Sequence, residues 1–65
     1  MKNIMRDSRK VRGYTQADMA NILKCSENFY NLVENGHKKP SVKKAKVIGD
    51  ILGFDWKWIY EDDIK

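Results

Sequence analysis

The sequence predicts an all-α chain of five short helices, and three observations carry the prediction. Apolar residues recur at spacings of three and four along the chain. Ser, Thr and Asp at the helix starts alternate with Gly at the helix stops. The stretch TQADMANILKCSENFYNLVENG, Thr15 to Gly36, then reads as a helix, a tight turn and a second helix.

The first helix is expected over Ile4 to Arg12, where Met5, Ser8, Val11 and Arg12 share a face. Gly13 is placed to end it, and Tyr14 is an apolar anchor before the next. Thr15 caps the second helix, with Asp18 where a capping box carries Glu or Gln. That helix runs from about Gln16 to Leu23. Met19, Ile22 and Leu23 lie on one face, and the small Ala20 lets a neighbour approach. Lys24-Cys25 makes a break and Ser26 is a second cap. The third helix, about Glu27 to Glu34, carries Phe29, Tyr30 and Val33 as its apolar stripe, and Asn35-Gly36 ends it. Two short helices joined this way form a helix-turn-helix unit, residues 15–36.

His37-Lys38-Lys39 is a basic loop closed by Pro40, and Ser41 caps the fourth helix, about Val42 to Leu52. Its inner stripe is Val42, Ala45, Ile48, Gly49 and Leu52. Val47 and Ile51 fall to one side, and Lys43, Lys46 and Asp50 lie opposite. Gly49 costs about 1 kcal/mol of helix propensity against Ala, which reads as a close helix–helix contact. Gly53 ends this helix. Asp55 caps a fifth, Trp56 to about Glu61, whose Trp56, Ile59 and Tyr60 close the core while Trp58 points elsewhere. Glu61-Asp62-Asp63 reads as a fraying acidic tail. With no repeat, linker or low-complexity stretch, residues 1–65 are expected to form one domain, and the initial Met and acidic tail suggest a whole chain.

Composition narrows the function. A chain of 65 residues buries only about 60% of its unfolded surface, so it depends on efficient packing or on oligomerisation. No apolar run approaches the ~20 residues of a membrane span, and MKNIMRDSRK has no apolar signal core. One Cys and one His supply neither a four-ligand zinc site nor an internal disulfide, which fits a reducing cytoplasm. There is no Ser/His/Asp set, glycine-rich phosphate loop or metal cluster, so neither enzyme activity nor a cofactor is expected. Trp56 and Trp58 admit a ligand pocket, but Trp56 fits the core, and no small-molecule ligand is expected. The net charge of +4 favours a polyanionic partner, although ordinary surface lysine accounts for it equally well.

At 100° per residue, Tyr30 and Val33 of the third helix point inward, with Cys25 and Ser26 near them. Glu27, Asn28, Asn31 and Leu32 point outward, with Phe29 at the border. Asn bonds adenine bidentately in the major groove, and apolar groups touch thymine methyls. The alternative for Leu32 and Phe29 is a core or dimer contact. Gln16 opens the second helix, where unpaired N–H groups favour phosphate; its alternative is local capping.

Thr15, Gln16, Ala20, Ser26, Glu34, Gly36 and Pro40, without a gap, with Arg9 upstream and Leu52-Gly53 to about Tyr60 downstream, resemble the phage-repressor/Cro-like (Xre) helix-turn-helix family. The resemblance implies a compact five-helix, lambda-repressor-like DNA-binding domain. It further implies an Arg9–Glu34 ion pair and a left-handed Lys24, where the family usually has Gly. It assigns base reading to Glu27, Asn28 and Leu32, which the outward face extends to Phe29 and Asn31. It places Gln16 on the DNA backbone, with the capping Thr15 and Ser26. Asn35, Lys38 and Lys39 would meet phosphates across the groove, or else form a solvated loop. The outer face of the third helix lacks Arg and Lys, and Glu27 is acidic, so A/T-weighted readout is expected.

The expected function is therefore a sequence-specific regulator of transcription, acting as a homodimer on a double-stranded DNA operator in the prokaryotic cytoplasm, with no membrane partner. The alternative is a protein-interaction module of the same fold, binding through Phe29, Leu32 and Trp58 as an antirepressor or accessory subunit.

Overall fold

Four of the helices open on a side chain that accepts a hydrogen bond from the backbone N–H three residues on. In the computed structural model, which describes residues 3–61, Asn3 opens α1 (Ile4–Val11), Thr15 opens α2 (Gln16–Leu23), Ser26 opens α3 (Glu27–Glu34) and Ser41 opens α4 (Val42–Leu52). The box at α2 is reciprocal, with Asp18 standing in for the usual Glu: Asp18 N–H donates to Thr15 Oγ1 at 3.0 Å and Thr15 N–H to Asp18 Oδ2 at 2.9 Å. The last element, α5 (Trp58–Glu61), completes an all-helical order among the described residues.

The core is one cluster drawn from every helix. Tyr30, Met19, Ile48 and Leu52 are fully buried, with Met5, Ala20, Leu23, Val33, Ala45 and Ile59 around them. Tyr14, Phe29, Phe54 and Trp56 pack against it from the edges. The most extensive helix contact is between α2 and α3, while α4 lies across α1 and α2.

The structure departs from the sequence expectations at several points. The inner face of α1 is Met5 and Arg9, not Met5, Ser8, Val11 and Arg12; Val11 is 82% exposed. Arg9 turns inward because its guanidinium bonds the buried Glu34 carboxylate, and Met5, one turn earlier, shares that face. Ile22 and Val42 are also exposed rather than inward. The fifth helix starts at Trp58 rather than Trp56, because Asp55 closes a turn first: its side chain accepts from Lys57 N–H and its carbonyl from Trp58 N–H. Trp56 sits in that turn, half-buried, with its ring against Tyr60 edge-on and Lys46 over its face. The close approach at Gly49 is to the α4–α5 loop rather than to another helix. A Cβ there would lie 2.7 Å from the Phe54 carbonyl oxygen and 3.0 Å from Trp56 Cβ, so the glycine admits the returning α4–α5 backbone. Of the expected acidic tail, Asp62 and Asp63 lie outside the described residues.

Candidate nucleic-acid interface

The turn between α2 and α3 fixes how the two helices meet. Lys24 takes a left-handed conformation, φ 57°. Its N–H bonds the Asn21 carbonyl, and the Cys25 N–H bonds that of Ala20. This is a Schellman ending built on a residue other than glycine. The helix α3 ends the same way with the residue suited to it: Gly36 at φ 82°, and the His37 and Gly36 N–H groups on the Leu32 and Val33 carbonyls.

Beneath the two helices lies the only buried ion pair among the described residues. Arg9 Nε and Nη2 donate to Glu34 Oε2 and Oε1 at 2.8 and 3.1 Å, and the two side chains are 9% and 1% exposed. Arg9 Nη1 also holds the Tyr14 carbonyl at 2.9 Å. Burial alone would raise the Glu34 carboxyl, but hydrogen bonds from Arg9 and Gln16 outweigh it and hold the group below its ordinary value. The Glu34 hydrogen bond raises Arg9 further. The buried Tyr30 hydroxyl next to them makes no hydrogen bond, and burial first, then the Glu34 charge, push it above the usual phenol range.

From this pair a chain of side chains runs outward. Gln16 Nε2 donates to Glu34 Oε1 at 2.9 Å, Asn31 Nδ2 donates to Gln16 Oε1 at 3.1 Å, and Asn35 Nδ2 donates to Asn31 Oδ1 at 3.3 Å. The first residue of α2 is thus tied to the outer side of α3. The capping hydroxyls of Thr15 and Ser26 use a lone pair on their own helices, which leaves each O–H free to donate. Glu27, Asn28 and Lys38 are exposed, and Leu32 is half-buried.

Three assigned residues are placed otherwise than expected. Phe29 is half-buried and packs against the core, so its ring braces α3. Asn31 has both ends of its amide engaged, by Gln16 and Asn35. Lys39 donates from Nζ to the Ile59 carbonyl at 3.1 Å, which binds the loop after α3 to α5. That reach across 20 residues in sequence gives no local signal. Asn3 was missed: its side chain donates to the Glu34 carbonyl at 2.8 Å and joins the start of α1 to the end of α3. The Asn31–Asn35 contact was the legible one, since residues four apart on a helix are neighbours. Among the described residues no three His, Cys, Asp or Glu gather as metal ligands, and no helix is long and apolar enough to cross a membrane.

A family model described as helix-turn-helix matches residues 5–59, from the start of α1 into α5. The chain belongs to this family. The helix-turn-helix match is joined by a relative in Bacillus subtilis (strain 168), an uncharacterized HTH-type transcriptional regulator, YqaF. It is 39% identical over 62 residues, which covers 95% of this chain and 82% of the relative. No solved structure matches the chain significantly. The helix-turn-helix assignment agrees with the all-helical order and with the α2–turn–α3 geometry at residues 15–36.

Proposed function

We infer that this chain is a DNA-binding transcriptional regulator that reads a specific double-stranded operator, with α3 in the major groove and α2 braced across the backbone. The observation that carries this reading is the tie between Gln16 and Asn31. It puts the N-terminus of α2 on the same side as the exposed start of α3. That juxtaposition suits a groove with phosphates along its rim, and a protein-binding face has no need of it. The family membership and the Bacillus relative support the same reading, and nothing favours the interaction module.

Base reading falls to Glu27, Asn28 and Leu32, and backbone contact to Thr15, Gln16, Ser26, Asn35 and Lys38. Asn28 suits adenine and Leu32 a thymine methyl. Catalysis and a cofactor have no place in this function. One copy of α3 spans too few base pairs for useful specificity, so the protein acts as a homodimer, with reading helices about 34 Å apart on successive turns of the duplex. The pairing surface is the C-terminal end, where Phe54 and Trp58 stack with ring centroids 6.1 Å apart and Trp58 is 43% exposed. The site of action is the prokaryotic cytoplasm, and residues 1–65 act as one domain.

In-vitro selection of bound duplexes gives the operator, and titration across a salt series then separates reading from anchoring. Asn28→Ala weakens the operator complex by about 1–3 kcal/mol and scarcely affects random DNA. Lys38→Ala weakens both alike and lowers the salt slope by about one. Folded Asn28 and Leu32 variants with unchanged operator affinity would refute the assignment of α3 as the reading element.

A further inference from the structure

The buried Glu34 does more than pair with Arg9. An ionised carboxylate only accepts hydrogen bonds, so the group that Gln16 turns toward it must be the NH2 end of the amide. That choice puts Gln16 Oε1 opposite Asn31, which must in turn offer its NH2. Asn31 Oδ1 is then left for the NH2 of Asn35. Each amide orientation follows from the one before it, and the first follows from the charge on Glu34. Arg9 donates to both oxygens of that carboxylate and keeps it ionised.

Resting on the DNA-binding reading above, we propose that Glu34 is a positioning residue for the DNA interface: it orients Gln16, Asn31 and Asn35 as hydrogen-bond donors toward phosphate oxygens. Each NH2 carries two protons and spends one inside the chain. The second protons of Gln16, Asn31 and Asn35 form a row of neutral donors along the junction of α2 and α3. Phosphate oxygens only accept, which matches this row. Adenine requires a donor and an acceptor side by side, and an Asn31 held at both ends does not offer that fork. Adenine recognition therefore rests on Asn28, which lies outside the chain of amides. The absence of Arg and Lys from the outer face of α3 fits the same division, since neutral amides held in the right sense serve as the clamp there.

The test has two arms on the full chain. In the free protein, the side-chain amide signals of Gln16, Asn31 and Asn35 are followed by 15N–1H NMR. Glu34→Gln introduces a donor at position 34 and removes the sense of the chain, so all three signals should shift, Gln16 most and Asn35 least. Unmoved Gln16 and Asn31 signals overturn the proposal. If Glu34→Gln does not fold, the apolar pair Arg9→Met with Glu34→Leu removes the acceptor without leaving a buried charge and gives the same readout. The second arm is a double-mutant cycle on the selected operator. Gln16→Ala should weaken binding about five- to tenfold, the size of one or two lost hydrogen bonds. Glu34→Gln should weaken the wild type by a similar factor but the Gln16→Ala protein by less than about twofold, because its effect passes through Gln16. Equal losses in both backgrounds would make Glu34 a purely structural residue and overturn the proposal. Failure to select any duplex would instead overturn the DNA-binding reading, and the amide signals would still decide whether the chain of orientations exists.

Discussion

Replacing Arg9 by Ala should cost this protein a large share of its stability. The guanidinium makes two hydrogen bonds to Glu34, at 2.8 and 3.1 Å, and a third to the Tyr14 carbonyl. With Arg9 in place, the Glu34 side chain is 1% exposed, so the carboxylate depends on protein donors rather than on water. Only Gln16 remains to satisfy it from its side chain. Removing one partner of a buried pair costs about 3–5 kcal/mol, because the other charge is left uncompensated. A domain of this length has about 3–10 kcal/mol in all, at about 0.05–0.15 kcal/mol per residue. Arg9→Ala should therefore lower the melting temperature by more than about 10 °C, at about 4–8 °C per kcal/mol for a small domain. The assay is thermal and urea denaturation by circular dichroism at pH 7. Arg9→Met combined with Glu34→Leu should recover most of the loss, since an apolar pair of similar volume leaves no charge stranded. A loss below about 1 kcal/mol for Arg9→Ala would refute the reasoning, because that is the range of an exposed pair.

Acid should act through the same carboxylate. Glu34 is held below its ordinary value of 4.5 in the folded state, so its contribution is complete above that value and is lost as pH falls through the lower folded one. Urea midpoints measured from pH 7 downward should drop below about pH 4.5 in the wild type, and less steeply in Glu34→Gln. Lys24→Gly should stabilise the protein or leave it unchanged: it relieves a left-handed non-glycine worth about 1 kcal/mol and gives back part of that as unfolded-chain entropy. A clear fall in the urea midpoint would contradict the strain at Lys24. Gly49→Ala should destabilise by about 1–3 kcal/mol despite the better helix propensity of Ala, because the new methyl meets backbone that cannot move aside. A rise in melting temperature would show that the α4–α5 loop yields. Tyr60→Phe removes a 2.7 Å hydrogen bond to the Pro40 carbonyl and should cost about 1 kcal/mol by urea denaturation, with no change meaning that water replaces the phenol.

The sequence by itself determined where the second, third and fourth helices begin and end. Caps and Schellman endings are hydrogen bonds between residues three to five apart, and so they are written in consecutive letters. Thr15 with Asp18, Ser26, Ser41, the break at Lys24-Cys25 and the stop at Gly36 are all of this kind. The helix-turn-helix spacing was legible for the same reason, and with it the family and the fold class. Only the tertiary structure decided which face of a short helix turns inward. In α1 the inward face is Met5 and Arg9, the latter on Glu34 25 residues away, while Val11 stays in solvent. It also decided what the polar residues of the candidate interface are free to do. Lys39 reaches Ile59, and Gln16 and Asn31 hold each other; neither contact leaves a mark on the local pattern. A hydrophobic period reports burial against an average neighbour. A hydrogen bond between distant side chains depends on where two helices cross, and that is fixed only when the whole core has packed.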